Sequence, residues 1–373
     1  MKVIIIGSGI VGATAAYYLS KNNVQVTLID RNEPGRATDA AAGIICPWLA
    51  QRRNQAWYTL ARKGARFYPK LIEDLTEDGE HQTGYDRVGA IQLHTVEKRL
   101  IAAEERVRKR KIEAPEIGEI SLLDEQQTAE LLPFLKSNLY QAIHISGAAR
   151  IDGKSLRKAL INAAVKRGTK LINTQAHLVK HNNQKIAVEA DGETLTGDYI
   201  IATNGAWMKE LFSPVGIDLL VHPQKAQIIH LETIIETESL PVIMPPNNQY
   251  ILPFANQKVI IGATHETKAG FDERITAGGV LEILSKAIEI VPNFSEATLK
   301  DIKVGFRPFT PNSLPVLGKV PNYQNVLLAN GLGASGLTTG PFIGKQLTNI
   351  ILKQSIDINL SDYDVTQIIE NNY

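Results

Sequence analysis

Lys2-Val3-Ile4-Ile5-Ile6-Gly7-Ser8-Gly9-Ile10-Val11-Gly12 opens with four β-branched residues in a row and passes straight into three spaced glycines. A continuous apolar run of this kind predicts a buried parallel strand over residues 2–6. Residues 13–21 predict a helix and residues 25–30 a second strand, so G-x-G-x-x-G lies at the turn of a β-α-β unit. Each glycine has its own role. Gly7 allows the tight turn, Gly9 lets a pyrophosphate approach the backbone, and Gly12 lets helix and strand pack closely. The helix start offers free N–H groups and the positive end of a dipole. Asp30, 18 residues beyond Gly12, can accept from ribose hydroxyls, and its charge disfavours a 2′-phosphate. These features predict a dinucleotide site without separating NAD from FAD, which share the motif.

Working outward, 373 residues predict two or three domains at roughly 150 residues each. A net charge of +1 gives no field to attract a polyanion, so nucleic acid is not an expected partner. The one cysteine, Cys46, can form neither an internal disulfide nor a cysteine zinc site, and it is expected to be a small core residue. No metal site is expected. Lys2 and the apolar run after it resemble a signal peptide, but three glycines, Tyr17 and Tyr18 interrupt the pattern. No uncharged stretch reaches the ~18 apolar residues of a membrane span, and a cytoplasmic protein is expected.

Beyond the first unit, residues 36–43 are small and polar and read equally as a surface loop or as a loop under a cofactor. Residues 56–75 and 152–168 predict helices, and 98–112 a helix with a solvated charged face. Residues 170–173 and 199–203 read as strands. Residues 177–180, 185–190 and 194–197 read as a small antiparallel meander, with Asn182-Asn183 and Asp191-Gly192 as its turns. Strands follow at 225–232, 249–254 and 258–263, then a helix at 277–291. A strand at 300–307 sets Ile302, Val304 and Phe306 on one face and Lys303, Gly305 and Arg307 on the other. A last strand at 325–329, a glycine-rich turn at 331–340 and a helix at 341–352 complete the pattern.

These residues resemble the FAD-dependent D-amino-acid oxidase and glycine oxidase family, also called the DAO family, nearly end to end. The likeness rests on Gly7, Gly9, Gly12 and Asp30, A-A-A-G-I at 40–44, A-T-N-G-A-W at 202–207 and Y-I-L-P at 250–253. It continues through Gly262-Ala263-Thr264, G-F-R-P at 305–308, L-P-V-L-G at 314–318 and the glycines of 331–340. It implies an α/β fold, α+β overall. A Rossmann-like FAD-binding domain, with a parallel sheet and a small antiparallel meander, would interleave with an α+β substrate domain on an antiparallel sheet. The first would comprise 1–85, 141–222 and 300–373, the second 86–140 and 223–299.

The resemblance also implies non-covalently bound FAD. Gly7, Gly9, Ile10, Val11, Gly12, Asp30 and Arg31 would hold its nucleotide half. Thr38, Ala41, Ala42, Gly43 and Ile44 would line the pyrophosphate and flavin, and the backbone of Leu178 and Val179 would adjoin the adenine. Thr203, Asn204, Gly205 and Trp207 would complete that wall. Gly331, Leu332, Gly333, Ala334, Ser335, Gly336, Leu337 and Thr338 would face the flavin ring, where a helix dipole stabilises the reduced form's negative charge. Arg307 would clamp a substrate carboxylate with its planar fork, and Tyr250 would help orient it. His265 and Glu266 are expected in a strand-end turn, with a pocket-facing position as the alternative.

The sequence departs from its relatives at Leu332, where many have histidine, and at Gly333-Ala334-Ser335, near which glycine-oxidase-like members carry arginine. At Phe254 many have a basic residue. The last loop is similar to that of D-amino-acid dehydrogenase-like members. The implied activity is oxidation of a small amino acid (D-amino acid, glycine or N-methylglycine type) by hydride transfer from Cα to flavin N5. Hydrolysis of the imine follows, with oxygen, a quinone or another carrier as electron acceptor, and a homo-oligomer is possible. The rivals are a nicotinamide-dependent dehydrogenase, a flavoprotein acting on a carboxymethylamine group in RNA, and a flavin-bound subunit inactive without a partner.

Overall fold

A computed structural model describes residues 1–136, 139–182 and 184–370. Strand β1 (Lys2–Ile6), helix α1 (Ile10–Lys21) and strand β2 (Gln25–Ile29) form the expected unit, with the helix starting three residues earlier than expected. β1 pairs in parallel with β2 on one side and with Tyr199–Ala202 on the other. The six-stranded sheet runs Val316–Lys319, Val326–Asn330, Tyr199–Ala202, β1, β2, Lys170–Ile172, parallel except at its first pair.

The β1 run is apolar throughout because both of its faces are covered. Val3 and Ile5 pack into one core with α1 and the helices Gly153–Lys166 and Gly336–Leu352. Ile4 and Ile6 pack into another with Leu178, Ile186, Met208 and Phe212. The three-stranded meander (Ala176–Asn182, Lys185–Ala190, Glu193–Leu195) covers that second face. Of its two expected turns, the Asn182-Asn183 signal falls at Asn183, outside the described residues.

The second sheet has eight strands: Thr298–Phe309, His222–Glu232, Lys258–Gly262, Tyr250–Phe254, Val242–Met244, Ala90–His94, Gln141–Ile145, Ile120–Leu123. Its pairs are antiparallel except Val242–Met244 with Ala90–His94. Gln141–Ile145 and Thr298–Phe309 pair in this sheet, across the expected limits at 140/141 and 299/300. Residues 298–309 pair along almost their whole length with His222–Glu232, a partner that local pattern does not reveal. The helix Ala277–Ile290 packs on this sheet through Ile283, Ala287 and Ile290.

The last helix begins at Gly336, so Pro341 sits inside it. Proline has no N–H for the carbonyl four residues back. Here that carbonyl, of Leu337, accepts from the buried Tyr68 hydroxyl at 2.6 Å. No described helix is long and apolar enough to cross a membrane.

Candidate active site

Gly7 has φ +95°, and a Cβ there would meet the Thr203 carbonyl carbon at 2.7 Å. A Cβ on Gly12 would fall 1.9 Å from the Gly7 carbonyl oxygen. The chain can therefore turn from β1 into α1 at this tightness only with glycine at both places. The result is a helix start, at Gly9, whose own N-cap residue supplies no capping side chain. Thr38 Oγ1 accepts from the Ile10 N–H at 3.1 Å.

This helix start opens onto a cavity of about 590 Å³, of the size that ligand sites occupy. Gly7, Gly9, Ile10, Val11, Asp30 and Arg31 line one part. Thr38, Ala41, Ala42, Gly43 and Ile44 line the next, with Thr203, Asn204, Gly205 and Trp207. Leu332, Gly333, Ala334, Gly336, Leu337 and Thr338 form the far wall, beside Tyr250 and Arg307.

Five expected residues lie outside the lining. Gly12 is packed against the Gly7 carbonyl. Leu178 is fully buried in the core behind the wall, and Val179 follows it along the strand. Ala176 and His177 stand at the cavity instead. A Cβ on Gly331 would meet Thr310. Ser335 Oγ accepts from Trp57 Nε1 at 3.1 Å and donates to the Leu332 carbonyl at 2.8 Å, so it ties the last loop to the helix Gln55–Glu77. Cys46 is buried away from the cavity lining, and burial pushes its thiol up to about 12.

At the nucleotide end Asp30 Oδ2 accepts from the Ser8 N–H at 2.6 Å. Its Oδ1 accepts from the Asn32 N–H at 2.6 Å and from Arg36 Nη2 at 2.5 Å. Burial opposes ionisation of this carboxyl, but Arg36 and the two amides outweigh it and hold the group below the usual aspartate range. Arg31 is ion-paired with Glu33 and Glu210 and lies over the Trp207 ring at 5.9 Å. Arg36, which carries no signal in the motif, emerges as a residue of this site.

Arg307 extends from the long strand beside Gly305, Phe306 and Pro308, all four at the cavity. Its Nη1 donates to Gln224 Oε1 at 3.3 Å and lies 3.0 Å from His265 Nδ1. Among the described residues it has no carboxylate partner within ion-pair distance. Burial lowers the Arg307 pKa. Burial also pushes the Tyr250 phenol up to about 12 against the opposing pull of Arg307, so the hydroxyl keeps its proton. His265, expected in a turn, also lines the cavity; burial and Arg307 both lower its pKa. Glu266 points elsewhere, its carboxylate accepting from Gln227 and Thr264. Asn248 also reaches the cavity and had no distinguishing sequence signal.

The donor set fits FAD. Two helix starts without first-turn acids, those of α1 and Gly336–Leu352, open onto the same cavity, and neither is capped by the side chain of its own N-cap residue. Beyond Gly9 a Cβ would have 3.6 Å to its nearest neighbour, Thr38 Oγ1, which leaves the backbone open to a ligand. The Asp30 carboxylate provides an anionic acceptor at the first end.

Comparison with known proteins agrees. The chain is 52% identical over 363 residues to an uncharacterized oxidoreductase, YurR, of Bacillus subtilis, covering 97% of each. It is 27% identical over 371 residues to glycine oxidase of Geobacillus kaustophilus, covering 98% of this chain and 97% of that one. The crystal structure of iminodiacetate oxidase from Chelativorans sp. BNC1 superposes with a TM-score of 0.94 at 40% identity, over 97% of this chain and 98% of that one. The sequence model described as FAD dependent oxidoreductase (DAO) matches residues 2–350. With that span the nicotinamide reading of the glycine motif falls away, and the chain belongs to the DAO family of FAD-dependent oxidoreductases.

Proposed function

We propose that this enzyme oxidises a small amino acid at the C–H bond between its amine and its carboxylate, giving an imine that water hydrolyses to a 2-oxo acid and ammonia or an amine. The observation that carries this reading is Arg307, a cation facing the cavity with no carboxylate partner among the described residues. An uncompensated guanidinium in a recess is costly to keep and suits a planar carboxylate bidentately. Glycine and N-substituted glycines are the favoured substrates. The likeness to an iminodiacetate oxidase adds N-carboxymethyl amines to that class.

Arg307 docks the carboxylate, and the protonated Tyr250 hydroxyl donates a second hydrogen bond to it. Held there, the Cα–H has one orientation in the cavity, and orientation supplies much of the rate. The amine reacts as the neutral form. Bound FAD supplies the two-electron acceptor. The α1 start and Thr38 would hold its pyrophosphate, Asp30 its ribose, and the Leu332–Thr338 wall its ring. Dioxygen or a quinone would then take the electrons.

The test is anaerobic addition of glycine, sarcosine, iminodiacetate, D-proline and a panel of D-amino acids to the purified protein. Bleaching of the flavin bands, with a 2-oxo acid recovered, supports the proposal. A yellow protein that none of them bleaches would refute it.

A further inference from the structure

Among the described residues the guanidinium of Arg307 is held by neutral acceptors alone. Gln224 Oε1 and His265 Nδ1 lie 3.3 and 3.0 Å from the same nitrogen, Nη1. That nitrogen carries two protons, and these two acceptors match them. Among the described residues neither Nε nor Nη2 of Arg307 makes a hydrogen bond. His265 Nδ1 also lies 3.4 Å from Gln224 Oε1; a guanidinium can only donate, so the shorter 3.0 Å contact with Arg307 requires a bare Nδ1 and puts the ring proton on Nε2.

The turn that presents His265 is built firmly. Lys225 and Glu266 exchange backbone hydrogen bonds at 3.2 and 2.9 Å. Thr264 Oγ1 accepts from the Gln227 N–H at 2.9 Å and donates to the Glu266 carboxylate at 2.7 Å. Gln227 Nε2 donates to that carboxylate at 2.8 Å. The fully buried Lys225 ammonium lies 3.6 Å from the same carboxylate and donates to the Arg274 carbonyl at 2.6 Å. The same ammonium lies 3.4 Å from the Asp272 carboxylate, so Lys225 ties the turn on which His265 stands to the segment of Asp272 and Arg274.

We propose that His265 is a positioning residue of the carboxylate site. Its bare Nδ1, with Gln224 Oε1, pins the Nη1 corner of Arg307 and leaves the Nε–Nη2 edge open to an incoming carboxylate. The logic is electrostatic. A carboxylate in place of His265 or Gln224 would hold the arginine equally well but would neutralise it and compete with substrate. Neutral acceptors fix a side chain with about 2 kcal/mol of rotamer entropy while keeping its charge available. The inference rests on the reading of Arg307 as the carboxylate dock.

The test uses the FAD-loaded enzyme and acetate, an unreactive carboxylate, titrated by its perturbation of the flavin spectrum. His265→Leu removes the acceptor and should weaken acetate binding about tenfold, as for loss of one hydrogen bond to a charged group. His265→Asn keeps an acceptor near the Nδ1 position and should restore binding to within about twofold. Gln224→Leu removes the other acceptor and should act like His265→Leu. In steady state the loss should fall on KM, with kcat at saturation little changed. If His265→Leu binds acetate like the wild type while Arg307→Ala does not bind it, the positioning role is overturned and the dock survives. If His265→Asn is as weak as His265→Leu, the acceptor is not what matters and the role is likewise overturned. If acetate leaves the wild-type spectrum untouched while amines still reduce the flavin, both the role and the dock are overturned.

Discussion

Arg36 Nη2 lies 2.5 Å from Asp30 Oδ1, so the acid that ends the β-α-β unit is already paired by a residue six positions on. The carboxylate thus serves as a local strut besides the ribose contact proposed for it. Its pKa is lowered in the folded protein. By linkage its contribution to stability is present above the unfolded value of about 3.9 and is lost as pH falls through the folded value. Acid should therefore release FAD only at a pH lower than the usual aspartate value, as the folded carboxyl takes up its proton, and Asp30→Asn should release it more readily at neutral pH, with that acid limb blunted. Retained FAD fluorescence against pH checks both. Unchanged FAD retention in the variant would remove Asp30 from the site.

Gly9 and Gly12 should fail differently. A Cβ on Gly12 collides with the Gly7 carbonyl at 1.9 Å, whereas one on Gly9 meets nothing closer than 3.6 Å. Gly12→Ala should cost at least the ~1–3 kcal/mol typical of overpacking and lower Tm with or without FAD. Gly9→Ala should leave the apoprotein's Tm unchanged and weaken FAD. Thermal melts of both, with and without added FAD, separate the two cases.

Arg307→Ala should raise KM for a good amino acid by about a hundredfold, the loss of a bidentate charge-assisted pair, with FAD still bound. Steady-state kinetics with a flavin absorbance ratio on the same sample decide it. An unchanged KM places the carboxylate elsewhere.

Cys46 should be inert. It is buried and its thiol is pushed up to about 12. Native protein at pH 8 should resist iodoacetamide, and denatured protein should take up one equivalent, as intact mass shows. Cys46→Ala should keep activity.

The nucleotide half of the site was legible because its chemistry is local. A strand, three glycines and an acid in 30 residues state the turn, the helix start and the acceptor together. The substrate half depends on distant pairing. Ala90–His94 and Val242–Met244 carry no signal that they lie side by side, and the expectations had no strand at either. Arg307 was legible from G-F-R-P, but its companions Gln224 and His265 reach it from another strand and a turn. The meander was legible as strands. Which of its residues line the cavity was not: Ala176 and His177 do. Leu178 is drawn instead into the core with Ile6 and Ile29.

The most direct test of the central claim is the anaerobic rate at which sarcosine, and separately its methyl ester, reduces the bound flavin. The ester keeps the amine and the Cα–H but removes the charge that Arg307 would hold. The account predicts rapid bleaching by the acid and a rate at least about a hundredfold lower with the ester. Equal rates, or bleaching by neither sarcosine nor any other amino acid, would contradict it.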